Sequence, residues 1–405
     1  MKDLLTKLSR RRFPYEPLIT IEISRSRLIH NLNEFRKLTP IRQPVEEFAP
    51  GGAVAPVLKS NAYGHGLLEV AQALKHEDVS FFVVDSYFEA IALRSGGFKP
   101  ALLIIGYTRP ETIARSRLKN VAFTITGMET LEKLPKENRR AMHIHLKIDT
   151  GMRRQGIMPE EIDHAIEIIK GNNSIILEGL CSHLCDADDA DESFTESQIH
   201  VWNRAAKKFR DTFPSLRYWH LAATDGHYFG HDIDANVSRL GIGLYGLSEN
   251  SVLTAKLDLQ PVLEMKTIVT GVKQLKEGET VGYDRTFKAT TNMTIATVPV
   301  GYFEGVDRRL SSGPDASKIG QIQVGPNRTP CPIVGRVSMN ITSVDISKVA
   351  GHGDTVGIKI GDTAVVISNN AADPNSIVSM AQKCRTISYE IAVKIPEHLK
   401  RVVVE

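Results

Sequence analysis

Cysteine and tryptophan are scarce, with four Cys and two Trp in 405 residues. Four thiols in so long a chain are too few for a disulfide framework. Cys181 and Cys185 flank His183, a spacing that a metal could use. They alternate along a strand-like run with no second Cys/His cluster, so they read as buried thiols and no metal site is expected. Charge of one sign is also missing. Lys and Arg number 50 against 47 Asp and Glu, a formal net charge of +3. The basic residues are spread along the chain, so no nucleic-acid partner is expected. The short run Arg10-Arg11-Arg12 reads as a solvated N-terminal arm. No apolar run approaches the ~20 residues that cross a bilayer. The basic N-terminus lacks the apolar centre of a secretory signal. These absences point to a cytoplasmic protein with no membrane partner.

A chain of this length is too large for one ordinary core, and two domains are the natural division. From about 50 to 240, short apolar runs alternate with longer amphipathic ones. The apolar runs are 54–58, 81–84, 101–105, 121–125, 143–148, 175–181, 216–221 and a weaker 235–238. Helical spacing follows most of them, clearest in 66–75, 162–169 and 193–209. Eight strand-and-helix units over some 200 residues predict an α/β fold with an N-terminal (β/α)8 TIM-like barrel. An open doubly wound sheet is the runner-up, disfavoured because no G-x-G-x-x-G turn follows the first strand. After Tyr245 the helical spacing fades. Runs at 262–272, 293–300, 319–324, 341–346 and 363–367 read as strands parted by Gly, Pro and Asp, and 375–383 as the one clear helix. The expected division is an arm at 1–15, a barrel at 16–248 and a mainly-β domain at 249–405. The run 18–23 reads as a strand that belongs with the β domain.

Barrels of this kind carry their chemistry at the C-terminal ends of the strands. Lys59 closes the first strand there. Desolvation disfavours its ammonium and makes accessible the free amine that a Schiff base requires. A surface lysine with its stem along apolar chain fits the same position equally well. The same rule puts a phosphate site after strands seven and eight, at Thr224 and at Arg239-Leu240-Gly241-Ile242-Gly243. A Schiff-base lysine facing a phosphate cradle is the layout for pyridoxal 5'-phosphate, although glycine-rich turns are common.

Lys59-Ser60-Asn61-Ala62-Tyr63-Gly64-His65-Gly66 closely resembles the cofactor-lysine signature of the alanine racemase family. Further blocks follow in family order along nearly the whole chain. They are Lys147 to Gly156, Arg239 to Gly246, Val281 to Thr286, Gly301-Tyr302, Gly335 to Met339, and Ile387 to Glu390. The resemblance implies a barrel followed by a β domain, and a head-to-tail homodimer whose active sites are shared between subunits. It implies pyridoxal 5'-phosphate as cofactor, a small amino acid as substrate, and D-alanine for bacterial cell wall as the usual purpose.

A racemase needs two acid/base groups on opposite faces of a planar intermediate. The resemblance assigns these to Lys59 and to Tyr283 of the partner subunit, with His183 and Arg239 in support. It gives Arg239 the pyridine nitrogen of the cofactor. A guanidinium donates to that nitrogen without protonating it, which leaves a weaker electron sink and fewer side reactions. Phosphate binding falls to Tyr63, Thr224, Gly241, Ile242 and Tyr389, and the substrate carboxylate to Arg154 and the backbone at Met339. Lys147 matches a position often carbamylated in the family, and Asp188, Tyr302 and Arg336 match the polar mouth of the site. Read without the resemblance, Tyr283 is an ordinary strand aromatic, His183 a satisfied core histidine and Arg239 a surface ion-pair arginine.

Three departures from the family pattern bear on the substrate. Asn340 stands where Asp is usual, Ala223-Thr224 where Asn-Ser is usual, and Leu240 where Pro is common. A neutral Asn340 relaxes specificity and leaves serine or other small amino acids open beside alanine. Tyr389 favours alanine by crowding the side-chain pocket. A decarboxylase of the same barrel class and a non-enzymatic cofactor-binding protein are the competing classes. Arg239 and the Tyr283 block oppose the first, and the β domain with Tyr283 opposes the second.

Overall fold

Unbroken apolar runs become parallel strands buried on both faces, because helices cover both sides of such a sheet. The computed structural model describes residues 15–38, 54–230, 232–313, 316–349 and 357–405. The expected arm with Arg10 to Arg12 lies outside the described residues. Two compact units form: one of 24–262 with 403–405, the other of 1–23 with 263–402.

The chain opens with strand β1 (Thr20–Ser24) and continues through the first unit with β2 (Val54–Pro56), β3 (Phe82–Val84), β4 (Leu102–Ile104) and β5 (Val121–Ile125). There follow β6 (Met142–Lys147), β7 (Ile175–Cys181), β8 (Tyr218–His220) and β9 (Ser238–Leu240). Strands β3 to β8 form one parallel sheet in sequence order, and β2 pairs in parallel with β9. A bridge between Val57 and Val83 joins β2 to β3. The Arg239 N–H donates to Ala222 O at 3.0 Å and joins β9 to the chain after β8. The ring of eight strands is thereby closed, as a (β/α)8 barrel requires.

Helices of the barrel show their buried face at three- and four-residue spacing. In the helix Ser193–Thr212 the buried residues include Thr195, Ile199, Trp202, Ala206 and Phe209. The helix Tyr87–Ser95 begins with a capping box between Ser86 and Glu89. The eighth barrel strand starts later than 235, its expected first residue. Asn236 accepts from Trp219 N (2.9 Å) and donates to Arg217 O (2.8 Å) through its side chain. Asn236 N and Val237 N both donate to Trp219 O, and regular pairing begins only at Ser238, so Arg239 lies within the strand and not after it.

The second unit is mainly β. Its six-stranded sheet has the order β16-β15-β18-β10-β1-β19, with β10 (Leu263–Ile268), β15 (Gln321–Val324), β16 (Thr329–Pro332), β18 (Thr363–Ile367) and β19 (Lys400–Val404). A three-stranded sheet joins β11 (Gly271–Leu275), β14 (Met293–Val298) and β17 (Thr342–Asp345), and β12 (Thr280–Val281) pairs with β13 (Phe287–Lys288). The run 262–272 is thus two strands in two sheets. They part where Val269 N donates to Asp362 O and Thr270 N donates to Thr297 O, both at 2.8 Å.

β1 runs antiparallel to β10 with Glu22 opposite Glu264. Like charges directly opposite destabilise a pair. Lys266 Nζ offsets this by reaching Glu22 (2.6 Å) and Glu264 (2.9 Å), while Arg328 adds a bond to Glu264 at 2.7 Å. Besides Ile377–Cys384, a second helix, Ser388–Val393, forms in this unit.

Candidate active site

Lys59 sits where β2 ends, and the chain after it winds the wrong way. Ser60, Asn61, Ala62 and Tyr63 have φ of 56°, 55°, 52° and 53°, one turn of left-handed helix. For L residues that handedness costs ~1–2 kcal/mol each. The surroundings hold it in place. Ala62 N donates to Leu58 O (2.8 Å) and Gly64 N to Ser60 O (3.1 Å). Glu89 accepts from Ser60 N (2.6 Å), and the Asn61 side chain accepts from Leu67 N (2.8 Å). Strain so tightly determined belongs to functional sites. It sets Lys59 and the buried Tyr63 within one turn of each other.

Tyr63 meets the cradle expected after strands seven and eight. A Cβ added to Gly241 would lie 2.8 Å from the Tyr63 hydroxyl oxygen and 3.7 Å from Thr224 Oγ1. Only a glycine leaves the backbone open there. Thr224 is buried, and its Oγ1 accepts from Gly243 N at 3.2 Å, which leaves its own O–H to donate. Two hydroxyls and a bare backbone stretch thus converge at 241–243.

Arg239 is 6% exposed. Its Nη1 donates to His220 Nδ1 (2.5 Å) and His220 O (2.8 Å), and its Nη2 donates to Ser182 O (2.7 Å) and Leu221 O (2.9 Å). His183 Nδ1 lies 3.3 Å from the same Nη2. Nε alone has no protein acceptor among the described residues. Burial lowers the pKa of Arg239, opposed by Cys181 and Tyr63 and by no carboxylate; the guanidinium remains a cation.

This end of the barrel is rich in positive charge. Burial lowers the pKa of Lys59, and Arg154 and Arg239 push the same way against Asp85 and Glu89. Lys147 at the end of β6 is lowered by burial, by Arg239 and by Arg154, and its Nζ donates to Gln155 at 3.2 Å. His183 is held neutral, first by burial and then by Arg239. Burial raises the Tyr63 phenol. Ile242 is buried in the cradle, whereas Arg154 and Asp188 are exposed. Of the two candidate thiols, Cys181 is buried, but Cys185 is exposed with its thiol against Gln198, which corrects the expectation of two buried cysteines.

The other expected residues lie in the second unit. Tyr283 is 67% exposed, on a short turn in which Asp284 and Arg285 take φ of 60° and 51°. Arg336 Nε lies 2.8 Å from Asp284 Oδ2, a close ion pair without hydrogen-bond alignment. Tyr302 and Met339 are exposed, and the Tyr302 N–H donates to Ser338 O at 3.0 Å. Tyr389 is half-buried in the helix Ser388–Val393.

The residues present fit a phosphorylated pyridine aldehyde. A deprotonatable amine, a hydroxyl-lined backbone cradle and a cation with one spare N–H match its aldehyde, phosphate and ring nitrogen. Two residues that serve the site carry no motif: His220, which holds Arg239, and His145, whose Nδ1 is 2.8 Å from His220 Nε2. The sequence trace of His145 is the alternation of His143, His145 and Lys147 along β6, and His220, on β8, has none.

A lysine, a cation and a cradle at the C-terminal end of a parallel barrel define an enzyme of the barrel class. Comparison with known proteins narrows the class. The sequence matches the family descriptions "Alanine racemase, N-terminal domain" over residues 23–249 and "Alanine racemase, C-terminal domain" over 262–403. An alanine racemase of Lactobacillus acidophilus is 31% identical over 385 residues, 93% of this chain and 96% of the relative. The solved alanine racemase of Clostridium difficile superposes with a TM-score of 0.83 at 28% identity, covering 96% of this chain and 97% of that one. A histidine racemase from Leuconostoc mesenteroides has a TM-score of 0.81 at 23% identity, covering 96% and 99%, a likeness of fold alone. The chain belongs to the alanine racemase family and is an isomerase.

Proposed function

We propose that the protein interconverts the L and D forms of a small amino acid, alanine foremost, with pyridoxal 5'-phosphate held at Lys59. One observation carries this: a lysine with a lowered pKa shares a barrel end with a buried, carboxylate-free arginine and a cradle of two hydroxyls. Bound there, the cofactor supplies an electron sink for the pair left when the α C–H bond breaks.

The chain's own residues supply the rest. Lys59 Nζ takes or returns the α-proton on one face of the substrate. Tyr283 serves the opposite face, delivered by the second copy of a homodimer; its exposure supports a role at a surface that another chain completes. His183, neutral, supports that phenol, and Arg239 donates from Nε to the ring nitrogen while staying charged. Tyr63, Thr224, Gly241, Ile242 and Tyr389 hold the phosphate. Arg154 pairs with the substrate carboxylate, assisted by the backbone at Met339 and steadied by Lys147 once that side chain is carbamylated. Asp188, Tyr302 and Arg336 form the polar mouth.

Serine or a broader set of small amino acids is the second reading. Asn340 donates to Glu304 at 2.6 Å and is neutral where the family pattern has an acid. The deciding experiment incubates a panel of L-amino acids with the purified protein and resolves the enantiomers. Alanine is expected to racemise fastest. Borohydride reduction and digestion should leave the pyridoxyl tag on Lys59. A tag on another lysine, or carbon dioxide released from ornithine, lysine or arginine, overturns the assignment.

A further inference from the structure

The end of the barrel away from Lys59 is hollow. At the N-terminal ends of β3, β4, β5, β6 and β8, with Glu178 of β7, a cavity of about 950 Å³ opens. Phe81 and Tyr218 wall it edge to face, centroids 5.1 Å apart, and the His145 ring stacks on Tyr218 at 5.7 Å. Arg117, Lys119, Arg140 and Arg217 line it, against one carboxylate, Glu178. That carboxylate lies 2.8 Å from His143 Nδ1, and four cations against it leave the lining positive.

The hydrogen bonds fix which nitrogen of His145 carries its proton. Arginine only donates, so His220 Nδ1 accepts from Arg239 and carries no hydrogen. Burial keeps His220 neutral, which puts its proton on Nε2, and that nitrogen donates to His145 Nδ1 at 2.8 Å. Burial keeps His145 neutral too, so its own proton is on Nε2. His145 is 1% exposed, lines the hollow, and its Nε2–H has no protein acceptor among the described residues.

We propose that this hollow is a second binding site, for an organic monocarboxylate with a flat apolar body. The carboxylate accepts from His145 Nε2–H and is balanced by the arginines of the lining, while the body packs on Phe81 and Tyr218. The site stands apart from the residues assigned to the cofactor and does not rest on that assignment. Its floor does share one hydrogen-bond chain, His145–His220–Arg239, with the opposite end of the barrel.

The test uses 4-bromobenzoate and the holoenzyme. Crystals soaked in it should show a bromine anomalous peak in the hollow. Calorimetric titration should show a saturable site that Arg140→Ala/Arg217→Ala weakens at least ~10-fold, the loss of one good ionic contact. The single variant Arg140→Ala, at an exposed position of the lining, serves if the double one fails to fold, and it should weaken the same site. An empty hollow in the anomalous map, or affinity unchanged in whichever variant folds, overturns the proposal.

Discussion

Gly179 leaves the space that the His145 imidazole fills: a Cβ at Gly179 would lie 2.4 Å from His145 Nδ1 and 2.6 Å from Cε1. The β6–β7 register also shifts between Ile144 and His145. The missing side chain and the bulge together make room for a ring inside the barrel. Gly179→Ala should therefore displace that ring and cost ~1–3 kcal/mol, the usual penalty for overpacking a tight core. Urea denaturation of the variant checks this, and an unchanged midpoint would mean that the ring moves freely.

Arg239 satisfies four acceptors with its two terminal nitrogens. A lysine ammonium has three hydrogens and no fork. Arg239→Lys should leave at least one buried acceptor unpaired and lower stability by ~2–3 kcal/mol. The same denaturation measurement applies, and a loss below ~0.5 kcal/mol would show that the fork is dispensable.

Acid should unfold the barrel through its buried histidines. Burial lowers His227 to about 4 and His145 to about 3, from the ordinary value of 6.5. Between those values and 6.5 the unfolded chain binds protons that the folded chain refuses. The stability is therefore fully present above pH 6.5 and is lost as pH falls toward 4. Each such residue contributes a slope of up to about 1.4 kcal/mol per pH unit. His227→Gln should remove close to one proton's worth of that slope, measured as unfolding free energy at pH 6.5, 5.5 and 4.5. An identical slope in the variant would count against a neutral buried His227.

Tyr283→Phe removes only a hydroxyl from an exposed turn. The cofactor absorbance should persist, while α-hydrogen exchange from L-alanine in deuterated water falls ~10²-fold or more, as expected on losing an acid/base group. Exchange from the L side at the wild-type rate would take Tyr283 out of the reaction.

Strands 121–125, 175–181 and 363–367 were legible to the residue: 121–125 is buried throughout, 363–367 after its first residue, and 175–181 keeps enough apolar residues around the half-buried Glu178 for the run to show. The helix Arg25–Leu38 was not. Its buried face includes Asn31 and Glu34, and polar residues there erase the periodicity. Asn31 is buried because it serves the backbone: it donates to Leu244 O and Gln260 O and accepts from Gln260 N. Ser388–Val393 is too short for a period to show. Within the site, Lys59, Thr224 and Gly241 could be located from barrel geometry alone. The left-handed turn after Lys59 could not, since Ser60, Ala62 and Tyr63 carry no preference for positive φ. The His145–His220 pair was equally silent, because two histidines far apart in sequence announce no contact.

The placement of β1 has a consequence for biosynthesis. In its sheet β1 lies between β10 and β19, yet it leaves the ribosome before the barrel while both neighbours follow it. The nascent chain must carry a strand with two core isoleucines, Ile21 and Ile23, and bare ladder groups while all eight barrel strands are made. Contacts so distant in sequence form slowly. The interval is one in which a chaperone, or β1 of another nascent chain, competes for that edge.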